Sequence, residues 1–187
     1  DNYNVAVGNA AGSAITTGVA NTIIGGLAGD ALTDADFNVA IGHQALSADT
    51  LGNNSVAIGD AALRAQNFTT ATNTFNVAVG ASAGISVTTG IQNTLIGALA
   101  GDAILAAADN VAVGFESLST ETGGQNNVAI GPRALKAQVN SSGNIYNTAV
   151  GASAGTAVTT GTENTFVGAL AGDALTDADY NVAIGLA

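Results

Sequence analysis

A five-residue pattern, Asn-(Val/Thr)-X-(Val/Ile)-Gly, returns eleven times along the chain, once with Ser in place of Asn. Its glycines are Gly8, Gly25, Gly42, Gly59, Gly80, Gly97, Gly114, Gly131, Gly151, Gly168 and Gly185. They lie 17 residues apart, except after the fourth and the eighth, where the intervals are 21 and 20. β-Branched residues two apart share one face of a pleated strand, so each unit predicts a short strand. The following Gly permits a bend that other residues tolerate poorly. Three residues later comes Ala, replaced once by Ser117. The next position runs Gly12, Gly29, Leu46, Leu63 and repeats that Gly-Gly-Leu-Leu order through Gly172. A further Gly follows in odd repeats, at Gly18, Gly52, Gly90, Gly124 and Gly161. Each unit therefore reads strand, bend, short second strand, turn.

A longer period lies above the short one. Gly8 to Gly80 spans 72 residues and Gly80 to Gly151 spans 71, so four short repeats make one long repeat. Leu27–Asp36 returns unchanged at Leu170–Asp179. No linker or shift in composition intervenes, and residues 1–187 read as one continuous array. A single unit buries almost nothing, whereas stacked units bury a continuous core. Gly, Asn, Thr and Val disfavour helix. The expectation is an all-β parallel solenoid of eleven coils, a rod roughly 50 Å long at about 4.8 Å per coil. Asn heads ten of the eleven units, with Ser55 in the other, and stacked Asn side chains can bond to one another along the array.

The β-branched pair is expected to fill the interior of each coil. The middle strand residue then points outward. It is Ala6, Ile23, Ala40, Ala57, Ala78, Leu95, Ala112, Ala129, Ala149, Phe166 or Ala183, apolar in every repeat. An apolar outer row needs a cover, and a further copy of the chain in closed symmetry is the simplest one. These eleven residues are thus the candidate subunit interface.

Composition sharpens this. Only 9% of residues are charged, against about 25% in ordinary globular domains. A monomer with so little surface charge would expose large apolar patches. Three basic residues against 14 acidic ones, net −11, exclude a nucleic-acid backbone binder. With no Cys and one His, a Cys/His zinc site and a disulfide framework are excluded. No uninterrupted apolar stretch long enough to cross a membrane as a helix occurs.

The units Asn38–Gly42 with Ala45-Leu46, and Ser55–Gly59 with Ala62-Leu63, resemble the head repeats of YadA-like trimeric autotransporter adhesins. The 17-residue version, with Thr-Thr-Gly at Thr88–Gly90 and Thr159–Gly161, also resembles repeats of phage tail fibres and related bacterial surface fibres. The resemblance covers essentially the whole chain. It implies a left-handed parallel β-roll, three chains around a common axis, and a fibrous or adhesive role at a cell surface or on a virion tail fibre. Head repeats of those adhesins are often shorter than these, so bacterial adhesin and viral fibre both stay open. The chain reads as a window from a longer fibrous protein. The partners implied are the chain itself, as a homotrimer, and a host-cell or surface glycan or protein, without nucleic acid or membrane insertion.

Candidate chemistry is sparse. His43 has no second His or Cys to work with, so a nucleophile–base pair is not expected. Asp30, Asp34 and Asp36, and again Asp173, Asp177 and Asp179, are spaced as D-x-x-x-D-x-D, but no calcium-loop motif surrounds them. They read as turn acids. No enzymatic activity and no cofactor are expected. An ice-binding solenoid is a distant alternative, since Thr-Thr recurs mainly every fourth coil. Arg64, Arg133 and Lys136 all fall in the fourth and eighth repeats, which also hold the extra residues at 67–74 and 139–145. Insertions in a solenoid emerge as loops, often on the binding face. Arg64, Phe68, Arg133 and Lys136 are the candidate ligand contacts, and the two loops are expected to be the most mobile parts. Tyr3, Phe37, Phe75, Tyr146 and Tyr180 precede the Asn of odd repeats, as a packing edge or as an aromatic strip for glycans or apolar surfaces.

Overall fold

The computed structural model describes residues 2–186. Eleven three-residue strands, Val5–Val7, Thr22–Ile24, Val39–Ile41, Val56–Ile58, Val77–Val79, Thr94–Ile96, Val111–Val113, Val128–Ile130, Thr148–Val150, Thr165–Val167 and Val182–Ile184, form one parallel sheet. Each strand pairs with the equivalent residues of the next, as Ala40 with Ala57 and Leu95 with Ala112. The chain is an all-β parallel solenoid of eleven coils, numbered here by their strands, with no helix among the described residues.

Ten of the coils are closed by a repeated set of left-handed backbone positions. The strand glycine has φ near +135°, as at Gly42 (133°) and Gly114 (135°), a region nearly closed to other residues. A Cβ there would also run into the next coil; at Gly80 it would stand 2.6 Å from the Gly97 carbonyl carbon. Positive φ recurs two and four residues later, as at Gln44 (55°) and Leu46 (53°), and at the corner before each Asn, as at Phe37 (58°). The expected second strand is mostly a run of turns. Among the described residues a second pairing lies further round the coil, from the turn glycine on, at Gly52–Asn53 against Thr72–Asn73, with an isolated bridge at Gln125–Asn144 in the equivalent place. Backbone bonds between coils nevertheless continue around the perimeter, as from Gly12 N–H to the Ala28 carbonyl, 3.0 Å.

The Asn row is internal. Asn38 N–H donates to Asn21 Oδ1 at 2.9 Å, and Asn38 Nδ2 donates to the Gly52 carbonyl at 2.9 Å. The same pair of bonds recurs at Asn93 and Asn164, so these Asn residues tie their own coils shut and clip them to the one before.

Asn and the middle strand residue are two apart and share a face. That face looks into the coil, which reverses the sequence expectation. Ile23, Ala40, Ala57, Ala78, Leu95, Ala112, Ala129, Ala149 and Phe166 are all fully buried within the single chain, so they have no surface to offer another subunit. Ala6 and Ala183 sit in the first and last coils, where one side of the stack is open. The β-branched pair faces outward instead: Ile24, Ile96 and Ile130 are each 38% exposed. The physical reason is width. A 17-residue coil encloses a narrow interior, and a row of Ala leaves room for side chains from the opposite wall.

Those side chains interlock with the strand row. Where the strand centre is large, the facing positions are Gly. A Cβ on Gly84 would meet Leu95 Cδ1 at 2.7 Å, and one on Gly155 would meet Phe166 Cδ2 at 2.7 Å. Where the strand centre is Ala in coils 3, 4, 7 and 8, Leu46, Leu63, Leu118 and Leu135 fill the space and are fully buried. One apolar core runs the length of the array.

Candidate binding surface

The insertions in coils 4 and 8 are anchored from below by buried acids. Asp49 and Glu121 occupy the same position in coils 3 and 7, and both are fully buried. Asp49 accepts from Gly52 N–H (3.1 Å), Phe68 N–H (2.9 Å) and Gln66 Nε2 (2.6 Å). Glu121 Oε1 accepts from the N–H groups of Thr122 (2.8 Å), Gly123 (3.0 Å), Gly124 (2.7 Å) and Asn140 (3.1 Å). Its Oε2 accepts from Gln138 Nε2 at 2.8 Å. Neither carboxylate has a cation partner among the described residues. Their charge is met by convergent N–H groups, which hold an anion strongly where water is excluded.

Each loop is thus pinned at its first residues, through Phe68 N–H and Asn140 N–H. It is pinned again near its end, by Asn54 to Asn73 (3.1 Å) and Asn126 to Asn144 (3.0 Å). Gln66 and Gln138 extend the network to Asn76 and Asn147, each at 2.9 Å.

The four candidate contacts do not converge on a site. Phe68 is 8% exposed and packs inward, so it is withdrawn as a ligand contact; its neighbour Asp49 holds its backbone N–H. Arg133 Nε and Lys136 Nζ both donate to Glu116 Oε2, at 3.2 and 2.6 Å. That carboxylate has its pKa lowered, first by the bond from Lys136. Arg64 makes no ion pair among the described residues. His43 Nδ1 lies 3.0 Å from Asp60 Oδ1 on the exposed surface, with no third group to make a relay.

Of the turn acids, Asp34, Asp36 and Asp179 accept hydrogen bonds between coils, whereas Asp30 Oδ1 is buried without a partner. Asp36 Oδ1 takes Val19 N–H at 2.8 Å, and Asp179 Oδ1 takes Thr162 N–H at 2.7 Å. Among the described residues no three His, Asp or Glu side chains group closely enough to hold a metal. Several Thr hydroxyls donate along the stack, as Thr33 to the Thr50 carbonyl (3.1 Å) and Thr159 to the Thr176 carbonyl (3.1 Å).

Two exposed rows are apolar or aromatic. The outward strand face carries Val, Ile and Thr from all eleven coils with no charged residue. Beside it, the corner aromatics Tyr3, Phe37, Phe75, Tyr146 and Tyr180 are 51–80% exposed. Sequence reasoning placed the exposed apolar row one residue away from its true position. The missed signal is that Ile23, Leu95 and Phe166 occur only where neighbouring positions are Gly, a volume exchange that interior residues show. No protein-family model, curated protein or solved structure matches the chain.

Proposed function

We propose that the chain is a structural and adhesive segment of a homotrimeric extracellular fibre. The observation that carries this is the outward strand face. Eleven stacked three-residue strands make an uncharged β-branched surface on the order of 500 Å², taking about 4.8 Å per strand and 3.3 Å per residue. That is toward the upper end of the largest apolar patch on a typical monomer, about 300–600 Å², and patches of that size are often functional. A repetitive apolar face of this kind can be covered by further copies of the same chain arranged in closed symmetry. The number three follows the resemblance to YadA-like head repeats. Pinned loops and a stack of satisfied hydrogen bonds suit a stiff spacer that presents side chains at fixed intervals.

Light scattering on the chain, 18.0 kDa, should give about three chain masses. Val111→Asp with Val113→Asp places charge on the outward face and should leave a folded monomer. Ala112→Asp, between them, should instead unfold its own coil, because an unpaired charge would enter the closed interior. A soluble, stable parent monomer would sink the reading.

A further inference from the structure

The corner residue before each Asn has positive φ in every coil, a conformation that favours Gly and Asn. Asn54 and Asn126 obey that preference. Tyr3, Phe37 and Phe75 do not, with φ of 51°, 58° and 51°. They are also 80%, 58% and 54% exposed, so neither backbone preference nor core packing accounts for them. The same register position in the same conformation directs the three side chains alike. They recur on alternate coils, which puts them about 9.6 Å apart at roughly 4.8 Å per coil.

We propose that this aromatic strip binds one extended, uncharged β-1,4-linked glycan lying along the solenoid axis. In such a chain each sugar is turned over relative to the last, so the same apolar face recurs at every second sugar, close to the two-coil spacing. Each ring of the strip stacks on one such face, and the Asn54 Oδ1 between Phe37 and Phe75, its Nδ2 held by Asn73, is left to accept from passing sugar hydroxyls. An extended peptide repeats its same-face side chains at about 6.8 Å, out of step with the strip. An acidic glycan is disfavoured by the net charge of −11 and by a corner row that holds Asp109 and Glu163 but no cation. A subunit contact along the whole row would bury those two acids without partners. This deepens the adhesive reading and rests on it.

The test uses Tyr3→Asn, Phe37→Asn and Phe75→Asn together, residues that suit the corner backbone. Titration calorimetry with cellohexaose and chitohexaose should show binding by the parent chain, a loss of at least tenfold in the triple variant, and an unchanged mass by light scattering. Maltohexaose, which curls, should not bind. The proposal is overturned if the parent binds neither straight-chain sugar, if maltohexaose binds equally, or if the variant binds as well as the parent. It is also overturned if the variant loses assembly, which would make the strip a subunit contact. The parent's own mass tests the fibre reading separately.

Discussion

Two kinds of coil pair alternate along the array, and they fill the same interior in opposite ways. In coils 1–2, 5–6 and 9–10 the fourth position after the strand glycine is Gly, and the seventh is aliphatic, as in Leu32, Val87 and Ile104. In coils 3–4 and 7–8 the fourth position is Leu, and the seventh is Asp49, Gln66, Glu121 or Gln138. The first kind is held by fitted volume. The second is held by counted hydrogen bonds, since every one of those four polar side chains is fully buried. Both insertions sit on the second kind, where an acid supplies acceptors for the first residues of the loop. The interior, not the surface, thus decides where the array tolerates extra residues.

The largest effect should come from removing a polar anchor. Glu121→Leu orphans the N–H groups of Thr122, Gly124 and Asn140 and the Nε2 of Gln138, while Gly123 N–H keeps the Asn140 carbonyl, and buried unsatisfied donors cost about 1–3 kcal/mol each. Partial rescue by water leaves a net loss on the order of 4–5 kcal/mol. Asp49→Leu orphans only two backbone donors, of Gly52 and Phe68, and should cost less. Thermal melts with hydrogen exchange across residues 120–145 and 49–75 would rank the two. The reverse order would break the donor-counting account.

The next effect tests the volume account. Phe166→Ala should destabilise by about 3–5 kcal/mol, confined to coils 9–11. Gly155→Ala strains a residue at φ 58° and pushes a methyl into the Phe166 ring, for a loss of roughly 1–3 kcal/mol. With Phe166→Leu in the background, part of that loss should vanish, a coupling of at least about 0.5 kcal/mol in a double-mutant cycle. Strict additivity would show that the two positions do not share space.

This contrast also explains what the sequence made legible. The 17-residue spacing of the glycines and the Asn row led directly to stacked parallel coils, because each glycine meets the next coil's backbone and each Asn bonds to the next. Strand orientation was harder. In Asn38–Gly42, both Val39/Ile41 and Ala40 are apolar, so alternation alone does not say which side is inside. The exchange of Phe166 for Ala against Gly155 for Leu decides it, and that is a relation between coils rather than within one. Phe68 was misplaced for a related reason. An aromatic in an insertion reads as exposed until the buried acid below it, Asp49, is seen to draw its backbone in. Arg133 and Lys136 read as free cations because Glu116 is remote in sequence and adjacent only once the coils stack.

The smallest effect concerns two acids on neighbouring coils, one from each kind of pair. Glu116, on coil 7, is held below its ordinary pKa of 4.5 by Lys136 first and by Arg133. Asp102, on coil 6, is pushed above its ordinary 3.8, mainly by burial, with Oδ1 left without a hydrogen-bond partner. The signs are opposite. The lowered pKa of Glu116 contributes stability that is fully present above pH 4.5 and is lost as pH falls through the folded value. The raised pKa of Asp102 opposes folding above its folded value and ceases to do so below pH 3.8. Glu116→Gln should therefore lower the melting temperature slightly at pH 7, with the difference fading below pH 4.5. Asp102→Asn should raise it slightly at pH 7, with the gain gone below pH 3.8. Melting curves of both variants from pH 3 to pH 7 check the pair. Shifts of the same sign would mean that Asp102 finds a partner that its burial beside Glu116 does not provide.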